Sequence, residues 1–480
     1  MGESIYSKSR KGRPSWHAAS SSPEIEGLVP QEYLREGPIG LPEVSEPQVM
    51  RHYVGLSVKN HHVDKDLFPL GSCTMKYNPK INEDVAACPG FSGLHPEQSE
   101  DDVQGALEVM SVLEEKLAAI SGMDAVTLQT VAGAQGELLG LMLARAYFDE
   151  RGETRNTVLV PDSAHGTNPS SAAIAGFSIK TFKSGEDGRV DVGVLAEALD
   201  DDTAVLMLTV PNTLGLFETS IDEITKLVHE KGGLCYLDGA NLNAMMGRCR
   251  PGDLGFDVMH FNLHKTFSTP HGGGGPGSGP VGVKSILEPY LPVPRVSRKD
   301  GRYTLDNDRP STVGKLHSFY GNFGIYLRAL VYITSLGADG IRRASGAAVL
   351  NANYLAALLA DLYPIPYGRR CMHEFVATGD PFKKYGVRTL DIAKRLLDFG
   401  FYAPTVYFPL VVSEALMVEP TETEGRETLD RFAEAMIQIA REAVETPEVL
   451  KEAPHNTPVR RLDETTANRR PVVTVPREES

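Results

Sequence analysis

Apolar positions along the chain follow two periods, and the alternation between them outlines a fold. Val103, Ala106, Leu107, Met110, Leu113, Leu117 and Ile120 recur three or four residues apart, which predicts an amphipathic helix ended by Ser121-Gly122. A strand-like run at Ala125–Leu128 leads through Val131-Ala-Gly-Ala-Gln-Gly136 into an apolar helix from Glu137 to Phe148. Thr157–Val160 reads as a strand that ends at Asp162-Ser-Ala-His-Gly-Thr-Asn-Pro169, and Thr203–Val210 as a buried strand. A helix over Asp222–Lys231 stops at Gly232-Gly233, and strands at Leu234–Leu237 and Val258–Asn262 follow. Strands alternating with helices imply a largely parallel sheet with both faces covered.

The pattern changes beyond a boundary placed near Gly337–Ser345. A strand-like Glu374–Ala377, a helix over Thr389–Phe399 stopped by Gly400, and a helix with Leu429, Phe432, Met436 and Ile439 on one face suit a smaller α+β unit. The expected fold class is α/β, with a large domain of mostly parallel sheet covered by helices. The expected division is an N-terminal arm and irregular segment over 1–100, the large domain over 101–345, the small domain over 346–450 and a tail over 451–480. Residues 1 to about 25 are Ser-rich with Lys8, Arg10, Lys11 and Arg13, and read as an extended arm. Arg51–His95 is rich in Gly, Pro and polar residues without clear periodicity. A long irregular stretch of that kind is often functional.

Composition narrows the function classes. A chain of 480 residues has room for two or three domains, and its formal charge of -15 argues against nucleic acid as a partner. No apolar run reaches the length of a membrane helix, and the N-terminus has neither a signal core nor a myristoylation pattern. Five cysteines (73, 88, 235, 249 and 371) form no CxxC pair. That suits free thiols in a reducing cytoplasm and no zinc site.

The chemistry concentrates at strand ends. His264-Lys265 follows an apolar strand and precedes His271-Gly-Gly-Gly-Gly-Pro-Gly-Ser-Gly-Pro280, where backbone can approach a ligand closely. A lysine that is partly desolvated beside other cations frees its amine for Schiff-base chemistry. Asp238 ends another apolar strand, so an acid and a lysine stand on neighbouring strand ends. Pyridoxal phosphate requires that pair: a carboxylate for its ring nitrogen and an amine for its aldehyde. His165 is a candidate to stack on the ring opposite the small Ala240, with Asn241 bonding nearby. Gly133, Ala134 and Gln135 open a helix whose free N–H groups suit a phosphate. Lys265, His165 and Asp238 are the expected catalytic residues, and no metal site is expected.

Several segments together resemble the glycine cleavage system P protein family. They are Pro69-Leu-Gly-Ser-Cys-Thr-Met-Lys76, Gly133-Ala-Gln-Gly-Glu137, Ser163–Pro169, Pro211-Asn-Thr-Leu-Gly-Leu-Phe-Glu218, Asn262-Leu-His-Lys-Thr-Phe267, His271–Pro280 and Val418-Glu-Pro-Thr-Glu422. The resemblance covers roughly residues 45–450, and length and motif order resemble the β subunit of the two-subunit form. It implies a fold-type I enzyme with pyridoxal phosphate in Schiff-base linkage to Lys265. It further implies that glycine loses CO2 and its aminomethyl group passes to the lipoyl arm of the H protein. A companion α subunit in an α2β2 assembly is implied as partner. Ser72, Cys73, Thr74 and Lys76 become candidates to line the site or a subunit contact, and Arg388, Arg369 and His373 candidates to bind the substrate carboxylate. An aminotransferase, a cysteine desulfurase and a non-catalytic scaffold subunit are the competing readings.

Overall fold

The computed structural model describes residues 4–13, 28–37, 40–272, 277–368 and 370–474. Its centre is a seven-stranded sheet built from β1 (Ala125–Thr127), β2 (Thr157–Pro161), β3 (Ser178–Phe182), β4 (Thr203–Thr209), β5 (Leu234–Gly239), β6 (Val258–Phe261) and β7 (Val281–Val283). The strand order is β1-β7-β6-β5-β4-β2-β3. Strands β3, β2, β4, β5 and β6 run parallel, while β7 is antiparallel to both of its neighbours. Every residue of β4, β5 and β6 is buried, as expected of central strands covered by helices on both faces.

The helix over Gln104–Ser121 buries Leu107, Met110, Leu113 and Leu117, and Gly122 closes it at φ 72°, a left-handed cap suited to glycine. The helix over Gly133–Glu150 packs Leu139, Leu141, Leu143 and Phe148 against the sheet.

Two further small sheets follow. β8 (Arg295–Lys299) and β9 (Arg302–Asp306) form a hairpin, and β10 (Phe375–Thr378), β12 (Ala415–Val418) and β11 (Thr405–Val406) form an antiparallel sheet in that order. The helix over Arg426–Glu445 buries Leu429, Phe432, Met436 and Ile439, the four positions whose spacing predicts one apolar face, with the last three in one core with β10 and β12.

A long helical run, Phe323–Leu359, joins the two parts and passes through the expected boundary region Gly337–Ser345. The helix breaks only at Gly337 (φ 61°, ψ -177°) and resumes at once, with Gly340 and Ser345 buried inside its second half. Tyr326, Ala329, Tyr332 and Ile333 pack into the core under the large sheet, and Leu355, Ala356 and Leu359 into the core under β10–β12.

The segment Arg51–His95 is more regular than its composition predicts. Helices occupy Glu46–Ser57 and Lys80–Ala86, the first with Gln48 Oε1 accepting from the Ser45 N–H at 3.0 Å. Met50, Tyr53 and Val54 of the first helix are exposed, so its apolar residues face away from the chain's own core and form no recognisable stripe. The tail is also partly helical, at Pro447–Glu452 and Glu464–Arg469. Of the arm, residues 4–13 fold back on this region, with Lys8 Nζ 3.2 Å from His52 Nδ1 and Arg13 donating to Gln48 Oε1 at 2.6 Å. Residues 14–25 of the arm lie outside the described residues. Among the described residues no helix is long and apolar enough to cross a membrane, and the five cysteines are unpaired.

Three carboxylates strap the segment Leu70–Lys76 to the rest of the chain. Glu374 accepts from the Ser72 N–H (2.5 Å) and hydroxyl (3.0 Å), and Glu419 from the Thr74 N–H (3.0 Å) and hydroxyl (2.7 Å). Glu422 pairs with Lys76 Nζ at 2.5 Å. Ser72 (φ 58°) and Thr74 (φ 49°) hold left-handed backbone, which costs each about 1–3 kcal/mol and persists because these bonds determine it. Burial acts to depress the Lys76 pKa, but Glu422 and the Tyr332 hydroxyl outweigh it and hold the ammonium charged. Lys76→Met leaves Glu422 buried without its cation, so it is expected to destabilise the fold by about 3–5 kcal/mol. The urea midpoint should fall accordingly, and adding Glu422→Leu should recover much of the loss; no recovery would show that the pair is not the cause.

Candidate active site

The carboxyl ends of four parallel strands meet at one cavity, the position at which open α/β sheets bind ligands. Register sets its floor: Thr209 of β4 pairs with Asp238 of β5, which pairs with His260 of β6. These three side chains line the cavity together with His165, Lys265, Ala240, Asn241, Gly133, Ala134, Ser72 and others. Its empty space, open mouth included, is about 620 Å³, within the range of cofactor sites.

Lys265 sits four residues past the end of β6, in the helical turn Leu263–Thr266 rather than at the strand end itself. Its N–H donates to the Asn262 carbonyl at 3.0 Å, and its side chain is half-buried on the cavity wall. Asp238 is 3% exposed, and its Oδ1 accepts from the Ala240 N–H at 3.0 Å. His260 Nε2 lies 3.4 Å from the same oxygen, and its Nδ1 is 2.7 Å from the Tyr236 hydroxyl. Burial depresses the His260 pKa and keeps that imidazole neutral.

His165 follows β2 in an exposed turn at the cavity edge, with its ring edge-on to Phe408 at 5.8 Å. The surrounding walls lower its pKa, Asp238 opposing and Lys265 reinforcing the shift. Its Nδ1 is 2.8 Å from the Thr167 hydroxyl, which donates to Glu137 Oε1 at 2.8 Å. Ser171 adds a 3.2 Å bond to Glu137 Oε2. Burial, and then Asp238, push the Glu137 carboxyl up to about 8.

The helix Gly133–Glu150 begins at the cavity without a side-chain cap, since Ala132 precedes it. The first N–H to be satisfied inside the helix is that of Gly136, which donates to the Ala132 carbonyl at 3.0 Å. Amides at this start carry the positive end of the helix dipole. A Cβ on Gly136 would lie 2.7 Å from the Gly279 carbonyl, and one on Gly279 would lie 2.1 Å from the Ala132 carbonyl. Glycine at both positions lets the helix start press against the chain that returns from Lys265. Gln135 is placed differently from expectation: its side chain turns back to accept from the Val131 N–H at 2.8 Å, and it is absent from the cavity wall. Asn241 lines the cavity and donates to the Pro211 carbonyl at 2.9 Å.

Two of the candidates for the substrate carboxylate, Arg388 and His373, do not line the cavity. Arg388 is exposed and pairs with Glu414 at 3.0 Å. His373 is fully buried behind the wall, 3.8 Å from Glu374 and 4.0 Å from Glu419, and burial depresses its pKa to about 3. Arg369 and Gly273–Gly275 of the glycine run lie outside the described residues. Of the Ser72–Lys76 group, Ser72 reaches the wall, whereas Lys76 is buried against Glu422. Cys73 is half-buried, and burial raises its thiol pKa, which favours the inert form. Sequence reasoning passed over Glu137, Thr167, Thr209, His260 and the clamp residues Glu374 and Glu419. A carboxylate among the apolar positions of the helix Glu137–Phe148 is the one signal that could have singled out Glu137.

The donor set fits pyridoxal phosphate. An amine, a buried carboxylate and an uncapped helix start share one cavity, and buried polar atoms such as Thr209 Oγ1 and Asn241 Oδ1 have no protein partner among the described residues. Sheet order, the strand-end cavity and the lysine just past β6 define a fold-type I α/β protein, the architecture of the pyridoxal phosphate-dependent enzymes. An aminotransferase class-V family model matches residues 137–274, and a model for the C-terminal domain of glycine dehydrogenase matches 344–459. The probable glycine dehydrogenase (decarboxylating) subunit 2 of Caldanaerobacter subterraneus subsp. tengcongensis is 59% identical over 98% of both chains. The protein of the same name from Halalkalibacterium halodurans is 61% identical over 94% of this chain and 92% of its own. The chain belongs to the glycine dehydrogenase (decarboxylating) subunit 2 family. In fold it is similar to a solved glycine decarboxylase (P-protein) of the glycine cleavage system in inhibitor-bound form. That match has a TM-score of 0.73 at 21% identity and covers 86% of this chain and 94% of that one. A NifS-like protein matches with a TM-score of 0.61 at 15% identity, over 78% of this chain and 99% of its own.

Proposed function

We propose that this chain is the pyridoxal phosphate-bearing subunit of a glycine decarboxylase. It releases CO2 from glycine and passes the remaining aminomethyl group to the lipoyl arm of the glycine cleavage H protein. The observation that carries this reading is the meeting of Lys265, Asp238 and the uncapped helix start at Gly133 on one cavity, in a chain of this family. When bound, pyridoxal phosphate supplies an electron sink for the pair left behind as CO2 departs.

The residues supply the rest. Lys265 would hold the cofactor through its amine, and as a free amine beside the cavity it could take up or deliver a proton. Asp238 keeps a proton on the ring nitrogen. The N–H groups of Gly133, Ala134 and Gln135 donate to the phosphate, Gln135 through its backbone only. His165 and the small Ala240 would flank the cofactor from either side, and Asn241 fixes the turn after β5 through its bond to Pro211. The electron balance closes on the partner. The aminomethyl carbon bonds to one sulfur of the lipoyl disulfide, the S–S bond breaks, and the second sulfur takes a proton as a thiol.

The relatives' designation as subunit 2 supports a companion subunit 1, in an α2β2 assembly. The two apolar cores support a cofactor domain over 101–345 and a small domain over 346–450. Unpaired cysteines and the chain's acidic balance suit a cytoplasmic enzyme.

The test is exchange of labelled CO2 into the carboxyl group of glycine, by this chain assembled with subunit 1 and supplied with lipoylated H protein. Label is expected to appear in the glycine carboxyl, because the bond to CO2 breaks and re-forms at the same carbon, and to be absent with a Lys265→Ala chain in the same assembly. A cofactor-loaded, assembled complex that shows no exchange would overturn the decarboxylation and return the choice to other carbanion chemistry, such as transamination.

A further inference from the structure

Glu137 is an acid where the fold has no structural need for one. It is 4% exposed near the start of an apolar helix and makes no ion pair among the described residues. Both its oxygens are engaged by hydroxyls, Oε1 by Thr167 and Oε2 by Ser171. Thr167 uses the same oxygen atom to meet His165 Nδ1, so carboxyl, hydroxyl and imidazole form one chain of 2.8 Å links that ends at the cavity. From these contacts we infer that Glu137 is a positioning residue: acting through Thr167, its protonation selects which ring nitrogen of His165 carries the proton.

The argument is a count of hydrogens. A threonine hydroxyl has one hydrogen to give. When Glu137 is protonated, its O–H donates to Thr167, the Thr167 hydrogen goes to His165 Nδ1, and the ring proton sits on Nε2. The Thr167 N–H, 3.3 Å from Nδ1, supports this arrangement, because Nδ1 must then accept. When Glu137 is ionised, Thr167 donates to the carboxylate and accepts from Nδ1–H, which leaves Nε2 with a bare lone pair. The two arrangements differ by one proton. If Nε2 gives its proton to a group in the cavity, the Thr167 hydrogen moves to Nδ1 and the Glu137 hydrogen moves to Thr167. Nε2 therefore serves as a donor in one state and an acceptor in the other.

The neighbours place the change within reach of working conditions. Glu137 faces Asp238 and His260 across the sheet ends, with Tyr236 and Lys265 beyond. Burial and the like charge of Asp238 both favour the protonated carboxyl, and Lys265 opposes them.

The role rests on reading this cavity as the cofactor site, but its test reads the ring nitrogens directly and needs no turnover. The full chain, loaded with pyridoxal phosphate and labelled with ¹⁵N-histidine, would be followed by NMR from neutral to alkaline pH, with His165→Gln assigning the signal. The wild type is expected to pass from Nε2–H to Nδ1–H. In Glu137→Gln the side chain no longer titrates, so the His165 tautomer should stay the same from neutral to alkaline pH. Thr167→Val cuts the relay and should also abolish the switch. A switch that persists in both variants, or a wild type whose tautomer does not change with pH, overturns the inference. Failure of the labelled-CO2 exchange alone would count against decarboxylation and leave the relay standing.

Discussion

Replacing Lys265 by alanine is expected to lower turnover by about 10²–10⁴-fold or more, the range a positioned acid–base group contributes. The fold should survive. Lys265 is half-buried on a cavity wall and makes no ion pair among the described residues, so its loss strips no buried carboxylate of a bonded partner. The backbone of the turn is held independently, by the Lys265 and Thr266 N–H groups donating to the Asn262 carbonyl at 3.0 and 3.1 Å. Two readings separate chemistry from collapse. Borohydride reduction followed by peptide mapping should place the cofactor on Lys265 in the wild type and on no residue in the variant. The thermal midpoint should move by only a few degrees, as expected for a change of about 1 kcal/mol or less. A variant that keeps near-normal turnover, or a wild type whose Lys265 remains unmodified after reduction, would remove the lysine from the chemistry.

The parts of this site that could be read from the sequence are those that sit at strand ends. β4, β5 and β6 are largely apolar runs, so the residues around their ends are conspicuous: Asp238 falls near the end of β5, and Lys265 four residues past the end of β6. The helix start at Gly133 is legible for the same reason, as a small-residue turn between a strand and an apolar helix. What escapes sequence reasoning is held by pairing across long separations. Glu374 and Glu419 clamp Ser72 and Thr74 from about 300 residues away in sequence. No local period announces such a partnership. His260 lies inside an apolar strand and looks like a core position, and only the parallel register sets it beside Asp238. Strands β3 and β7 were also missed, for opposite reasons. β3 is an edge strand with four of its five residues exposed, so it lacks a buried run; β7 has three residues interrupted by Gly282. Arg388 and His373 do not line the cavity, because a charge and a family-like setting do not fix direction. Arg388 caps the helix Thr389–Asp398 and spends its guanidinium on Glu414.

Asp238→Asn is expected to lower turnover by about 10²–10³-fold while leaving stability nearly unchanged, the scale on which a single preorganised electrostatic partner contributes. The substitution is chosen because it isolates charge. An asparagine Oδ1 can still accept from the Ala240 N–H, and the side chain keeps its volume between Thr209 and His260 on the cavity floor. What it cannot do is hold a proton on a pyridine nitrogen by opposite charge. The absorbance of the bound cofactor should therefore shift, with the ring titrating at lower pH than in the wild type. A second consequence lies one shell away. Asp238 is, after burial, the largest influence raising the Glu137 carboxyl to about 8. Removing its charge lowers that pKa, so Glu137 ionises at lower pH and the protonated form loses ground over the neutral range. The His165 tautomer change should then move to lower pH in Asp238→Asn, whereas a contribution of Asp238 to the ring alone would leave it in place. An Asn variant with wild-type rate and spectrum would move the ring-nitrogen role to another group. A His165 transition that fails to move would break the link between the two carboxylates.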